Sequence, residues 1–196
     1  MDNKAKPILF STPMVQAIMD GRKTMTRRVC HILTLNYPKR AYPGETAEAY
    51  MKRWNTSPKH QIGDVLWVRE TWCQCATING WLDDVSLYGY KADYDRVVPW
   101  KWKPSIHMPR EAARLFLRVT DVRVEKLQSI TNEDGKREGV CGLCYDAQTG
   151  DEDYDITFFK VLWDGLNAKR GYGWDTNPWV WVYTFERCEK PEGWCK

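Results

Sequence analysis

Apolar positions change period several times along this chain, and each period predicts a different element. Ile8-Leu9-Phe10 is a short apolar run that predicts a strand. Ser11-Thr12-Pro13 then reads as a helix start, a hydroxyl N-cap followed by proline in the first turn. Met14, Val15, Ile18 and Met19 supply its apolar stripe, and Gly21 closes it. Lys23 to Val29 reads as an extended segment leaving that helix. Residues 30–60 hold Pro38, Pro43, Gly44 and Pro58 with little periodicity, which predicts a long loop or insertion with a helix over Thr46–Arg53.

Val65 to Trp72 alternates as a strand, with Leu66, Val68, Glu70 and Trp72 on one face. Asn79-Gly80 is a hairpin signal, and Leu87 to Ala92 is the expected return strand. Arg114 to Leu127 predicts a long strand whose alternation changes phase between Val119 and Val122, as at a bulge. Ile130 to Gly139 reads as a helix capped by Thr131, with Asp134 three residues on. Ile156, Phe159, Leu162, Trp163 and Leu166 share one face of a further helix. In the last strand, Trp179, Trp181, Tyr183 and Phe185 alternate with Val180, Val182 and Thr184. Strands and short helices without a strand–helix–strand repeat predict an α+β fold, best drawn as a small closed or half-closed β-barrel with flanking helices. The 196 residues fit one domain, 1–196.

Composition narrows the classes. Hydrophobic residues at 43% and charged residues at 28% describe an ordinary globular chain, not a disordered one. No apolar run reaches the ~20 residues of a membrane helix, so no membrane partner is expected. Met1 to Phe10 lacks the apolar core of an export signal, and a cytoplasmic location is expected. The seven cysteines are an odd number, so reduced thiols are the default. Cys73-x-Cys75 with Cys141-x-x-Cys144 also allows a four-thiolate zinc site, although only the second pair has common zinc spacing. His31, His60 and His107 show no ligand spacing, and neither metal nor cofactor is expected.

Charge is segregated more than the net +3 suggests. Residues 1–60 hold eleven Lys/Arg against four Asp/Glu, and residues 132–155 hold two against eight. The basic block contains Gly21-Arg22-Lys23-Thr24-Met25-Thr26-Arg27-Arg28, a glycine turn followed by cations and hydroxyls. Such a run can hold phosphate or a polar base edge, or it can serve as a basic strand edge that resists aggregation. Glu70, a carboxylate on the core face of its strand, is either functional or paired with a neighbouring cation. Eleven tryptophans are many for this length. Trp67, Trp72, Trp81, Trp100, Trp102 and Tyr88 fall mid-chain, whereas Trp163, Trp179 and Trp181 read as core. Trp100 and Trp102, interleaved with Lys101 and Lys103, are stacking candidates or packing over the barrel mouth.

Gly21-Arg22-Lys23-Thr24-x-Thr26-x-Arg28, followed by Gly63-Asp64-x-Leu66-x-Val68, resembles the ASCH domain, a branch of the PUA-like β-barrel superfamily. Trp102 to Pro109 and Asn177-Pro178-Trp179-Val180-Trp181 resemble a subgroup common in bacteriophages and prophages. The resemblance covers nearly the whole chain, with insertions at 30–60 and 141–155. It implies a nucleoside or nucleic-acid role, with a modified nucleoside, RNA or DNA as partner, and includes an amidohydrolase that deacetylates N4-acetylcytidine. Carried over by motif, its catalytic residues fall on Lys23, Thr26 and Glu138. Arg22, Thr24, Arg28, Glu70, Trp72 and Trp102 are then the candidates for substrate binding. Three classes follow: a hydrolase of N4-acylated cytosine, a non-catalytic RNA- or DNA-binding module, and a ribonuclease. In the first, Thr26 attacks the acyl carbon, Lys23 takes the hydroxyl proton and Glu138 protonates the leaving amine. Residues three apart on a regular strand face opposite ways, so Lys23 and Thr26 converge only if the segment is irregular or the lysine reaches around.

Overall fold

A computed structural model describes residues 5–74, 88–94, 101–140 and 154–194. The chain forms two compact units, the first from residues 1–21, 64–118 and 186–196 and the second from residues 22–63 and 119–185. The class is α+β. A five-stranded sheet has the order β1-β3-β6-β7-β2, made of β1 (Lys6–Leu9), β2 (Met25–Val29), β3 (Val65–Arg69), β6 (Phe116–Lys126) and β7 (Trp179–Cys188). That order has two ends, so these pairings do not themselves draw the closed barrel expected from the alternation. A separate ribbon pairs β4 (Trp72–Gln74) with β5 (Tyr88–Tyr90). No helix among the described residues is long and apolar enough to cross a membrane.

In the first unit β1 runs parallel to β3, with Ile8 opposite Val68, and β3 runs antiparallel to β6, with Leu66 opposite Leu117. Helix α1 (Thr12–Met19) begins after Ser11 with a proline in its first turn and buries Val15, Ala17 and Ile18. It stops at Gly21, whose φ of +75° is left-handed and whose N–H donates to the Ile18 carbonyl at 3.1 Å. The core gathers Val65, Trp67, Trp72, Tyr90, Met108, Phe116 and Trp194, with Trp194 edge-on to Phe116. Burying each of these large side chains contributes ~1.5–3 kcal/mol.

The strand expected from Val65 to Trp72 ends at Arg69. Its partner β1 ends at Leu9, and the Phe10 N–H makes the last bond to the Arg69 carbonyl. Trp72 instead pairs with Tyr90 in the ribbon, so Glu70 and Trp72 do not share a strand face with Leu66. The ribbon's partner strand falls where the return strand was expected, while the Asn79-Gly80 turn lies outside the described residues.

In the second unit β2 runs antiparallel to β7, with Thr26 opposite Tyr183 and Arg27 opposite Val182. One core cluster joins Met25, Leu127, Ile130, Val140, Phe159, Trp163, Val180 and Val182. A second joins Cys30, Leu33, Ala47, Tyr50 and Met51 beneath two helices, α2 (His31–Arg40) and α3 (Ala47–Arg53). Helix α3 was legible. Its N-cap Thr46 accepts from the Ala49 N–H at 3.2 Å. Helix α2 was not: Pro38, which argued for a loop, falls within its last turn, and Leu33 on the helix is fully buried. Helix α4 (Asn132–Arg137) starts at Thr131, whose hydroxyl accepts from the Asp134 N–H at 3.2 Å. Helix α5 (Tyr154–Asn167) buries Phe159 and Trp163, with Ile156 and Leu162 packed partly against them. Leu166, expected on that face, is exposed.

Replacing Thr131 with alanine removes the N-cap of a six-residue helix. The variant is expected to lose ~1 kcal/mol in urea denaturation. Thr46→Ala, at the equivalent position of α3, should lose a similar amount.

Candidate functional site

Glu138 is the C-cap of α4, and Gly139 after it takes a φ of +79° that ends the helix. The last carbonyls of a helix need partners from outside it. Here three consecutive residues of the Gly21–Arg28 run supply them. The Thr24 N–H donates to the Arg137 carbonyl at 2.9 Å, Lys23 Nζ to the Glu138 carbonyl at 2.8 Å, and the Arg22 guanidinium to the Gly139 carbonyl at 3.4 Å. Arg137 Nε in turn donates to Thr24 Oγ1 at 3.4 Å. The motif is thus the cap of α4 as well as the entry to β2.

Lys23 is the centre of this arrangement, and its side chain has 0% exposure. Nζ donates to Glu138 Oε2 at 2.8 Å, to the Glu138 carbonyl and to the Met25 carbonyl at 2.7 Å. That last carbonyl belongs to the peptide bond joining Met25 to Thr26. The lysine therefore folds back along its own strand, and its Nζ lies beside the Thr26 backbone. Burial draws the Lys23 pKa below its ordinary value of 10.5; Glu138 pulls it up, and Arg28 and Arg27 push it further down.

The second Glu138 oxygen, Oε1, accepts from Arg27 NH1 at 3.2 Å. Arg27 also has no exposed side-chain surface. Its other nitrogens reach Glu125 Oε1 at 2.7 and 3.2 Å and Asp134 Oδ2 at 2.6 Å. Burial opposes its charge, but Glu138, Glu125 and Asp134 outweigh burial and raise its pKa. Arg123 closes the network from the other side, on Glu125 Oε2 at 3.1 Å and Asp134 Oδ2 at 3.0 Å. Three cations and three carboxylates therefore neutralise one another around α4, with Phe159 beneath the Arg27 guanidinium at 5.8 Å.

Thr26 is buried on β2, opposite Tyr183. Among the described residues its hydroxyl makes no hydrogen bond to Lys23 or Glu138. Arg28, next but one along the strand, is half-buried. Burial draws its pKa down, against the pull of Glu138 and Tyr183. Burial likewise pushes the Tyr183 hydroxyl up to about 12. Arg22 is the exposed member of the basic run, Thr24 and Arg28 are half-buried, and Lys23 and Arg27 face carboxylates. A run that read as a phosphate surface is, for its two central cations, an internal salt-bridge system.

The remaining candidates belong to the first unit and are described there. Glu70 is 1% exposed and takes Arg114 in a two-pronged bond, Nε to Oε1 at 2.9 Å and NH2 to Oε2 at 3.0 Å. Burial holds its pKa above the usual carboxylate value, and Arg114 lessens that rise. Arg114 also binds Asp93 through NH1 and lies over the Tyr90 ring at 3.9 Å. This is the paired reading of Glu70. Trp72 is buried, edge-on to Tyr88, with Lys103 Nζ 4.7 Å from its ring. Trp102 is half-buried against Tyr94. Trp72 is thus packed inside rather than open for stacking, and Trp81 and Trp100 lie outside the described residues.

Cys73 is buried on β4, while Cys75, Cys141 and Cys144 lie outside the described residues. Among the described residues no group of three His, Cys, Asp or Glu side chains is placed to hold a metal ion. Sequence reasoning missed Arg27, Glu125, Asp134 and Arg123. Glu125 and Arg123 alternate on one face of a long strand, which is a visible signal, but nothing in the sequence says that α4 meets that face.

No family model matches the chain, and no curated relative matches it. Solved structures that are similar at low identity include the following two. One is a protein of the DUF984 family from Enterococcus faecalis V583, 10% identical, covering 88% of this chain and 65% of its own, with a TM-score of 0.43. The chain thus spans just under two thirds of that protein's length. The other is an ASCH domain from Lactobacillus crispatus JV V101, 14% identical, covering 88% of this chain and 70% of its own, with a TM-score of 0.37. Likenesses this distant carry no functional weight.

Removing Glu138 leaves Lys23 and Arg27 buried with fewer counter-charges. Glu138→Ala is expected to cost ~3–5 kcal/mol in urea denaturation. Lys23→Met should cost clearly less, because Glu138 keeps Arg27. Equal losses would mean that the two partners are not held as described.

Proposed function

We propose that this protein is a hydrolase of N4-acylated cytosine, with N4-acetylcytidine as its substrate class, working from an ASCH-type site on a PUA-like barrel within one functional domain. The observation that carries this reading is Lys23, a lysine with no exposed side-chain surface, held by a carboxylate and drawn below its usual pKa. A lysine with a lowered pKa is what general-base chemistry needs.

In this reading the substrate's acyl carbon meets Thr26 Oγ1. Neutral Lys23 exchanges the Met25 carbonyl for the Thr26 hydroxyl and takes its proton as the new C–O bond forms. The same proton passes from Lys23 to N4 as the C–N bond breaks and cytidine leaves. Water then attacks the threonyl ester, gives its proton through Lys23 to Thr26, and releases the carboxylic acid. The sum is amide plus water to amine plus acid. Both Glu138 oxygens already accept hydrogen bonds, one from Lys23 and one from Arg27, so Glu138 acts here by orienting the lysine. Arg27, Glu125 and Asp134 hold that carboxylate still.

Chromatography of N4-acetylcytidine incubated with the protein tests the reading. Wild type should convert it to cytidine, and Lys23→Met and Thr26→Ala should each abolish conversion. Absence of conversion by wild type, or survival of activity in Lys23→Met, sinks the proposal. The pH profile has a defined sign. Lys23 is active when neutral, so kcat/KM should climb as pH rises through its lowered pKa and level off below 10.5.

A further inference from the structure

The helices α2 and α3 form a feature that the hydrolase reading does not use. Of ten large hydrophobic side chains exposed among the described residues, four, Ile32, Leu35, Tyr42 and Trp54, fall on this short stretch. Clustered exposure of that kind marks an interaction site, whereas scattered exposure does not. A cleft of about 270 Å³ opens here, lined by Ile32, Asn36, Arg40, Tyr50, Trp54 and Thr56. Ile32, Asn36 and Arg40 recur every four residues, so they stand in one row along α2. Buried Tyr50 is the floor, while Ile32 at 42% and Trp54 at 49% exposure form half-open walls, with the Arg53 guanidinium 5.4 Å from the Trp54 ring.

The polar groups of the cleft are uncommitted. The Asn36 amide makes no hydrogen bond with any described residue. The Arg40 guanidinium has no carboxylate partner among them either, unlike Arg53, which binds Glu45 at 2.8 and 2.7 Å. The surrounding stretch, residues 30–60, carries five Lys/Arg against two Asp/Glu, and Glu45 is already engaged by Arg53. Lys39, Lys52 and Lys59 are exposed with no carboxylate partner among the described residues. An apolar slot with an indole wall, an open amide and a surplus of free cations is complementary to a planar, hydrogen-bonding, anionic ligand.

We propose that the α2–α3 cleft binds single-stranded nucleic acid, with one base against Trp54 and Ile32, the Asn36 amide on its edge and Arg40 on an adjoining phosphate. Bases stack on such rings whatever their sequence, and a cation in the lining, here Arg40, meets the backbone. An acidic peptide would use the cations but would leave the indole wall and the amide without a matching group. The proposal does not rest on the hydrolase reading, and a site that binds a strand need not hydrolyse anything.

Fluorescence anisotropy with a labelled oligouridine of about eight nucleotides, on the full chain, tests it. Trp54→Ala should weaken binding roughly 5- to 150-fold, the loss of one stacked base. Arg40→Gln should weaken it and lower the salt slope by about 0.7, the loss of one phosphate contact on a single strand. Trp54→Phe, which keeps a ring and the packing on Tyr50, should retain most of the affinity and guards against misfolding of the alanine variant. The proposal is overturned if Trp54→Ala binds within twofold of wild type. It is also overturned if wild type does not bind the strand, or if a polyglutamate peptide of equal length displaces it as well as unlabelled oligouridine does. Cytidine monophosphate should compete far more weakly than the strand; equal competition would overturn the single-strand assignment.

Discussion

A lysine cannot be buried alone. Taking an ammonium out of water costs several kcal/mol unless its donors are met, and Lys23 meets them with three oxygens, two from one residue. Much of the second unit is arranged to make those oxygens available. Helix α4 has to end at Glu138, Gly139 has to turn left-handed after it, and the chain entering β2 has to run alongside. Arg22, Lys23 and Thr24 then take three successive carbonyls of the helix end, so the motif and the helix define each other's position.

Arg27 extends the same constraint. It stands on the strand that Lys23 leads into and joins Glu138 to Asp134 and Glu125. Such a network is weak evidence for stability, since well-packed apolar groups often do as well. What it supplies is geometry: the carboxylate that faces Lys23 is held through its other oxygen by a guanidinium that is itself fixed.

Much of the scaffold was legible because its signals are local. The Thr131 cap, the Gly21 stop and the alternation of Trp179 to Phe185 all depend on residues a few positions apart, and all have their expected counterparts. The places where reading failed are non-local. Strand β3 ends early because β1 runs out, a fact invisible at Glu70. Helix α2 forms over a proline because Leu33 is covered by Ala47, Tyr50 and Met51 from another helix. Of the site, the meeting of Lys23 and Glu138 was reached only through the motif resemblance; periodicity alone does not bring residues 115 apart together. The Arg27 network escaped notice because a basic run looks the same whether it faces water or carboxylates.

Helix α4 has only six residues, too few to be stable in isolation. Its C-terminal carbonyls are satisfied only when the segment before β2 lies against them. The two pieces, more than a hundred residues apart, therefore order together or not at all. On refolding, the Thr24 amide and the amides at the end of α4 should gain protection from solvent exchange in one cooperative step. In the native state, a fluctuation that frees the helix also dissolves the lysine's surroundings. The buried, carboxylate-paired setting of Lys23 is then a property of the assembled pair.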